Sequence, residues 1–166
     1  MADAAPSRSA HYALEFEKAH DALITLVSSL TPEQWRKVGR NHPQRLNDED
    51  EGRTVGVIAH HVADSEKVII GRIYAMIEGR TLPRVDFKTT NAAHAVRYAA
   101  VTRDEVIKLL RDNRDPIAEA IAAIPDEDLD QMRDTPVGPM SVAQRLDRVL
   151  IGHLKQHDGS IRAAIS

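Results

Sequence analysis

The sequence contains no cysteine. This absence excludes disulfide bonds, thiolate metal sites, iron–sulfur clusters and a cysteine nucleophile, so any chemistry must come from other side chains. Surplus positive charge is also lacking, because 22 Lys and Arg residues are outnumbered by 25 Asp and Glu residues and the formal net charge is -3. Such a charge balance argues against general nucleic-acid binding.

Long apolar runs are absent as well. No stretch approaches the roughly 18 apolar residues of a membrane span, and the first residues lack the apolar segment of a signal peptide. We therefore expect a cytoplasmic protein that makes no contact with a membrane. The 166 residues, 42% of them apolar and 28% charged, fit one folded domain, which we predict to span residues 1–166.

Four long segments carry apolar residues at the 3.6-residue period of a helix, and no segment of useful length alternates with period two. The sequence therefore predicts an all-α fold. Capping boxes mark the start of several helices, since a Ser or Thr is followed three residues later by Gln or Glu. The predicted long helices cover about residues 9–30, 54–79, 102–124 and 141 to near the last residue, with a short helix after Thr31.

Two connections are unusually long. The polar stretch from Arg36 to Arg53 predicts a loop, and residues 80–101 link the second and third long helices with room for a minor helix near Asn91–Val101. A connection of this second length can cross over a helical bundle. We therefore do not expect a simple up-and-down order of helices.

Histidine is the most informative residue type. His153 and His157 have the spacing HxxxH, but eight histidines in 166 positions give roughly 0.4 such pairs by chance, so the spacing alone is weak. The helical face is more telling, since both rings fall on the apolar stripe of the last helix. On the second long helix, His61 falls inside the apolar arc and His60 is predicted to face water.

Three imidazoles on interior faces need partners, because burial of an unsatisfied polar group costs about 1–3 kcal/mol. A divalent metal ion satisfies all three at once, and neutral imidazole is a good ligand for zinc and its neighbours. We therefore predict His61, His153 and His157 as metal ligands, with open positions for water or substrate. Ordinary hydrogen-bonded core histidines are the competing interpretation. Surface roles are expected for His11, His20, His42 and His94.

At these residues the chain resembles the DinB/YfiT-like superfamily of bacterial metalloproteins. The string GVIAHHVADSE is similar to the family's first ligand motif, with His61-Val62-Ala63-Asp64 in register, and IGHLKQHDGSI is similar to its HxxxH motif. The resemblance extends over nearly the whole chain. It implies a four-helix bundle of up-down-down-up connectivity with a long connection between helices 2 and 3, and a nickel or zinc ion bound by the same three histidines.

The resemblance also suggests functions. Characterised relatives include transferases that use a low-molecular-weight thiol, so we expect a metal-dependent thiol transferase acting on a small electrophile, and a homodimer. Arg72 is a candidate for binding a carboxylate of thiol or substrate, or else lies at the rim of the site. Asn113 is a candidate for lining the pocket or for fixing helix register.

Other side chains and other functions stay open at this point. Asp64 and Glu66 are either hydrogen-bond partners of a ligating imidazole or solvated. Hydrolysis by metal-bound hydroxide is an alternative to thiol transfer, as is a non-enzymatic metal-binding role in stress response. Thiol-dependent turnover would separate the two enzymatic hypotheses.

Overall fold

The structure, a computed structural model, describes residues 7–39 and 53–166 and is mostly helical. One segment, Leu146–Ile151, is a π-helix. Two short strands, β1 at Met132–Arg133 and β2 at Met140–Ser141, pair in antiparallel fashion. In chain order the elements are α1 Arg8–Ser29, α2 Pro32–Arg36, α3 Val55–Ile77, α4 Phe87–Arg97, α5 Arg103–Ala122, α6 Asp126–Leu129, β1 Met132–Arg133, β2 Met140–Ser141, α7 Val142–Arg145, the π-helical segment, and α8 Gly152–Ile165.

Side-chain caps fix where the helices begin. The hydroxyls of Thr31, Thr102 and Ser141 each accept a hydrogen bond from the backbone N–H three residues later, and the Gln or Glu at that position bonds back to the cap residue. These reciprocal bonds satisfy N–H groups that have no partner within the helix. The three capping boxes predicted from the sequence are confirmed.

The long helices pack around one apolar core. α1 lies against α5, α3 contacts both α5 and α8, and α1 also contacts α8. Apolar side chains from all four helices are buried in this core. On its surface, Arg114 of α5 pairs with Glu17 and Asp21 of α1 at 3.0 and 2.6 Å. None of the described helices combines the length and apolar character needed to cross a membrane.

The structure differs from the sequence prediction in two connections. α4 begins at Phe87, four residues before the predicted start, because Asp86 caps it by accepting from the N–H of Thr89. The sequence predicts no strand, but residues 132–141 form the β1–β2 hairpin, with Gly138 at φ +108 in its turn. Strands of two residues are too short to give a period-two signal. The predicted loop between Arg36 and Arg53 falls largely outside the described residues.

Candidate metal centre

Three histidine rings from two helices meet at one end of α8. His61 extends from α3, and His153 and His157 lie one turn apart on α8. The ring centroids are 5.2 Å apart for His61 and His153, 5.5 Å for His61 and His157, and 4.6 Å for His153 and His157. Each ring offers a nitrogen that lies within 4.8 Å of a nitrogen on both others. We call these residues the histidine trio.

The backbone just before the trio is unusual. The N–H of Gly152 donates to the carbonyl of Asp147, five residues earlier, and this bond closes the π-helical segment where α8 begins. A Cβ at position 152 would lie 3.0 Å from that carbonyl oxygen, so glycine suits this close approach. Short π-helical insertions often occur at functional sites, and this one directly precedes His153.

Burial favours the neutral form of two members of the trio. Burial, followed by the nearby His153, lowers the pKa of His61 to about 3. Burial also lowers the pKa of His153 to about 4. At neutral pH both rings therefore carry a free nitrogen lone pair, which is the form that binds a metal.

The distances also fit a metal ion. Nε2 of His153 lies 3.3 Å from Nε2 of His61. Two nitrogens bound to a tetrahedral zinc ion at about 2.05 Å lie roughly 3.3 Å apart. A nitrogen donor set of this kind suits zinc, nickel and copper, so the trio can hold such an ion.

The trio lies in the wall of a cavity of about 780 Å³. This volume is typical of sites for small molecules. Val68, Ile69 and Phe87 supply part of its apolar lining. Its cationic lining residues are Arg53, Arg72, Lys88, Arg145 and Arg148.

A second group of potential ligands adjoins the first. His60 and Asp64 of α3 and His94 of α4 place one ligand atom each within 4.8 Å of one another. Nδ1 of His60 lies 2.9 Å from Nε2 of His94, and the ring of His60 stacks on Tyr98 with centroids 3.7 Å apart. His94 also touches the trio, with its ring 5.5 Å from that of His61.

Two expectations about these residues are therefore wrong. His60 was expected to face water, but it is 6% exposed, because α4 and Tyr98 cover this side of α3. His94 was expected on the surface, but it is half-buried against His60. Burial lowers the pKa of both rings. Both errors arise from α4, whose packing partner cannot be read from its own weakly apolar sequence.

Asn113 lies away from the cavity, in a buried polar cluster. Its Nδ2 donates to the carbonyl of Ala63 and to Oε2 of Glu66, both at 2.8 Å. Oε1 of Glu66 lies 3.1 Å from Nε2 of His20. The predicted pocket-lining role of Asn113 is thus wrong, and the alternative, fixing the register of α5 against α3, matches its contacts. We call Asn113, Glu66 and His20 the buried polar cluster.

The same cluster corrects two further expectations. His20 was expected on the surface but is fully buried, because Glu66 reaches it from α3. Glu66 was expected to be solvated or bonded to a metal ligand, but it is 1% exposed and its hydrogen bond comes from Asn113. His11 is exposed as expected. His42 lies outside the described residues.

The structure places Arg72 on the cavity wall and adds residues that sequence reasoning missed. Arg53 and Arg145 line the same cavity and are 8% and 6% exposed. The sequence did contain a signal for Arg145, since it stands three residues after the buried Val142 on the apolar stripe of the last helix. A charge in such a stripe is buried and must be accommodated there.

Architecture and side chains together define a helical protein with a histidine site that can hold a metal ion. A family model for the DinB superfamily matches residues 15–161 of the chain. The protein therefore belongs to the DinB superfamily, and the resemblance noted from its two histidine motifs is confirmed. A comparison with curated proteins gave no match.

Proposed function

We propose that His61, His153 and His157 hold a divalent metal ion, zinc or nickel, and that the protein is a metal-dependent thiol transferase. The observation that carries this proposal is the meeting of three imidazoles, two of them with strongly lowered pKa, in the wall of a cavity large enough for a small molecule. Membership of the DinB superfamily supports it.

The histidine trio is a better candidate for the reactive centre than the group of His60, Asp64 and His94. All three members of the trio line the cavity, so a bound ligand can reach them. His60 does not line the cavity and is enclosed by His94 and Tyr98. An ion at the trio would thus have protein ligands on one side and open space on the other, as catalytic sites require.

A bound metal ion supplies acidity, since it lowers the pKa of a coordinated thiol and holds the thiolate for attack on an electrophile. The chain itself supplies three imidazoles, of which those of His61 and His153 have strongly lowered pKa values, and a partly apolar cavity. It contributes no thiol, because it has no cysteine, so the thiol must be a separate small molecule. Arg72 stands on the same wall, where its guanidinium can bind a carboxylate.

We further propose that the four long helices form an up-down-down-up bundle. In support, α1, α5, α3 and α8 contact one another in a closed cycle, and the connection of residues 80–101, which contains α4, is long enough to span the bundle.

The proposal is tested in two stages on protein purified without an affinity tag. Elemental analysis should find about one equivalent of zinc or nickel per chain, reduced in His153→Ala. The metal-loaded protein is then assayed with a chromogenic aryl halide and a panel of low-molecular-weight thiols. Turnover should require both the thiol and His153. Hydrolysis of esters without added thiol, or a protein that retains no metal, would contradict thiol transfer.

A further inference from the structure

The cavity that contains the histidine trio is also rich in arginine. Arg72 comes from α3, Arg145 from α7 and Arg148 from the π-helical segment, and all three line the cavity. Among the residues that the structure describes, Asp64 is the only carboxylate in that lining. The electrostatic potential inside the cavity is therefore positive, although the chain as a whole is acidic.

Arg145 is the most unusual of these arginines. It is 6% exposed, and its Nε has no hydrogen-bond partner. No ion pair joins Arg72 or Arg145 to a carboxylate in the described part of the chain. Burial and the charge of Arg72 both lower the pKa of Arg145, so the two guanidinium groups repel each other without a compensating anion.

Several surface arginines of the described residues are paired with carboxylates. Arg8 makes two bonds to Asp130, and Arg162 makes two to Asp158. A buried guanidinium nitrogen without a hydrogen-bond partner is destabilising, and no carboxylate of the described residues pairs with Arg145. Arginine forms two parallel hydrogen bonds with a carboxylate. A ligand carboxylate would satisfy Arg145 and relieve its repulsion with Arg72.

We propose that Arg145 and Arg72 form a binding site for a carboxylate of the small-molecule ligand whose reacting end lies at the histidine trio. Arg148, which is exposed at the rim, adds attraction for the approaching anion. The placement of the ligand's reacting end at the trio rests on the proposed function. Binding of the carboxylate by the two arginines needs no metal. The substrate class is thus a small carboxylic acid, either a carboxylate-bearing thiol or a carboxylate-bearing electrophile.

The test is an NMR titration with succinate, which has carboxylates and no thiol, on the wild-type protein and on Arg145→Met. Methionine keeps much of the side-chain volume and removes the buried charge. We expect wild-type protein to bind succinate with shifts confined to the cavity, and Arg145→Met to bind it roughly tenfold to hundredfold more weakly. Arg111→Met is the matched control, since Arg111 is exposed on α5 outside the cavity, and should bind as the wild type does.

Two further measurements keep the result interpretable. Thermal unfolding of Arg145→Met without succinate should show a protein at least as stable as the wild type, because an unpaired buried charge has been removed. Arg72→Met is a second variant in a less buried position and should also weaken succinate binding. The proposal would be overturned if Arg145→Met and Arg72→Met bound succinate as tightly as the wild type. It would also be overturned if Arg111→Met lost as much affinity for succinate as Arg145→Met.

A further titration separates failure of the carboxylate site from failure of the proposed metal-dependent function. Succinate is titrated into His153→Ala, in which metal binding is impaired. Succinate binding that persists there and depends on Arg145 supports the carboxylate site whether or not the trio holds a metal. To identify the source of the carboxylate, 3-mercaptopropionate is compared with propionate on the metal-loaded wild type. Tighter binding of the thiol that is weakened in Arg145→Met assigns the carboxylate to the thiol, and tighter binding that Arg145→Met leaves unchanged assigns it to the electrophile.

Discussion

Two adjacent histidines of α3 have different surroundings. The ring of His61 lies 5.2 and 5.5 Å from the rings of His153 and His157 and faces the cavity. The ring of His60 stacks on Tyr98 and is bonded to His94. Neighbouring residues on a helix point about 100° apart. Substitution of His61 therefore removes a trio member, whereas substitution of His60 leaves the trio intact.

Substitution of His61, His153 or His157 by Ala should each reduce the metal content of the purified protein by more than half, because two imidazoles hold a divalent ion far less tightly than three. Elemental analysis of each variant measures the change. His60→Ala is the matched control and should retain the wild-type metal content. If His61→Ala retained its metal and His60→Ala lost it, the metal would be assigned to the group of His60, Asp64 and His94 instead.

A second prediction concerns the buried polar cluster. Asn113→Ala removes the amide that donates to Oε2 of Glu66 and should lower the free energy of unfolding by about 1–3 kcal/mol, since a buried acceptor left without its donor costs this much. Urea denaturation measures the loss. Asp112→Ala, one residue earlier, removes an exposed pair with Lys108 and should cost no more than about 0.5 kcal/mol. Equal costs for the two variants would contradict the role of Asn113.

The helical faces of His61, His153 and His157 could be predicted because each lies beside clearly apolar positions. His60 could not, since every residue of Val55–His60 is buried and a helix enclosed on all sides has no solvent face to identify. His20 and Glu66 were misjudged for a related reason. Each is buried with a polar partner from another helix, and pairing between distant segments leaves no periodic signal.

At the scale of elements, the N-terminus of α3 is held by close packing against α2. A Cβ added at Gly56 would lie 2.5 Å from Cε2 of Trp35. The indole Nε1 of Trp35 donates to the carbonyl of Val101 at 3.0 Å, so the ring cannot move away without losing that bond. This contact joins α2, α3 and the end of the connection that contains α4.

Gly56→Ala should therefore destabilise the protein by about 1–3 kcal/mol, the usual cost of overpacking a core. Gly71→Ala is the matched control on the same helix, because a Cβ there meets nothing within 4 Å. Because alanine has a higher helix propensity than glycine, Gly71→Ala should leave stability unchanged or raise it by up to about 1 kcal/mol. Thermal unfolding of both variants measures the difference, and a Gly56→Ala protein as stable as Gly71→Ala would refute the packing.

Helix positions were predictable because caps and apolar periods are local. The β1–β2 hairpin and the π-helical segment were not. Each involves only a few residues, and the π-helix has the same apolar composition as an α-helix. Gly152 was the one local trace of the π-helix, since a glycine inside a helical pattern indicates a close approach of backbone.

At the scale of the whole molecule, the trio links folding stability to pH. Burial lowers the pKa of His61 to about 3 and that of His153 to about 4. Both values lie well below the ordinary value of about 6.5 that these rings have in the unfolded chain. Below pH 6.5 the unfolded chain therefore binds more protons than the folded one, and acid favours unfolding.

Metal-free protein should accordingly lose stability as the pH falls from about 6.5 towards 4, by about 1.4 kcal/mol per pH unit for each of the two rings. Denaturant unfolding in the presence of a chelator, from pH 8 to pH 4.5, measures this loss. A double variant with Ala at positions 61 and 153 should show a flatter dependence over the same range. The same slope in both proteins would show that other groups cause the acid sensitivity.

The most direct test of the account is to locate the metal in crystals of protein purified without an affinity tag, by anomalous diffraction at the absorption edge of the metal found by elemental analysis. The account predicts one strong peak about 2.0–2.1 Å from a ring nitrogen of each of His61, His153 and His157. A peak between His60, Asp64 and His94 alone, or a wild-type protein with no metal at either group, would contradict it.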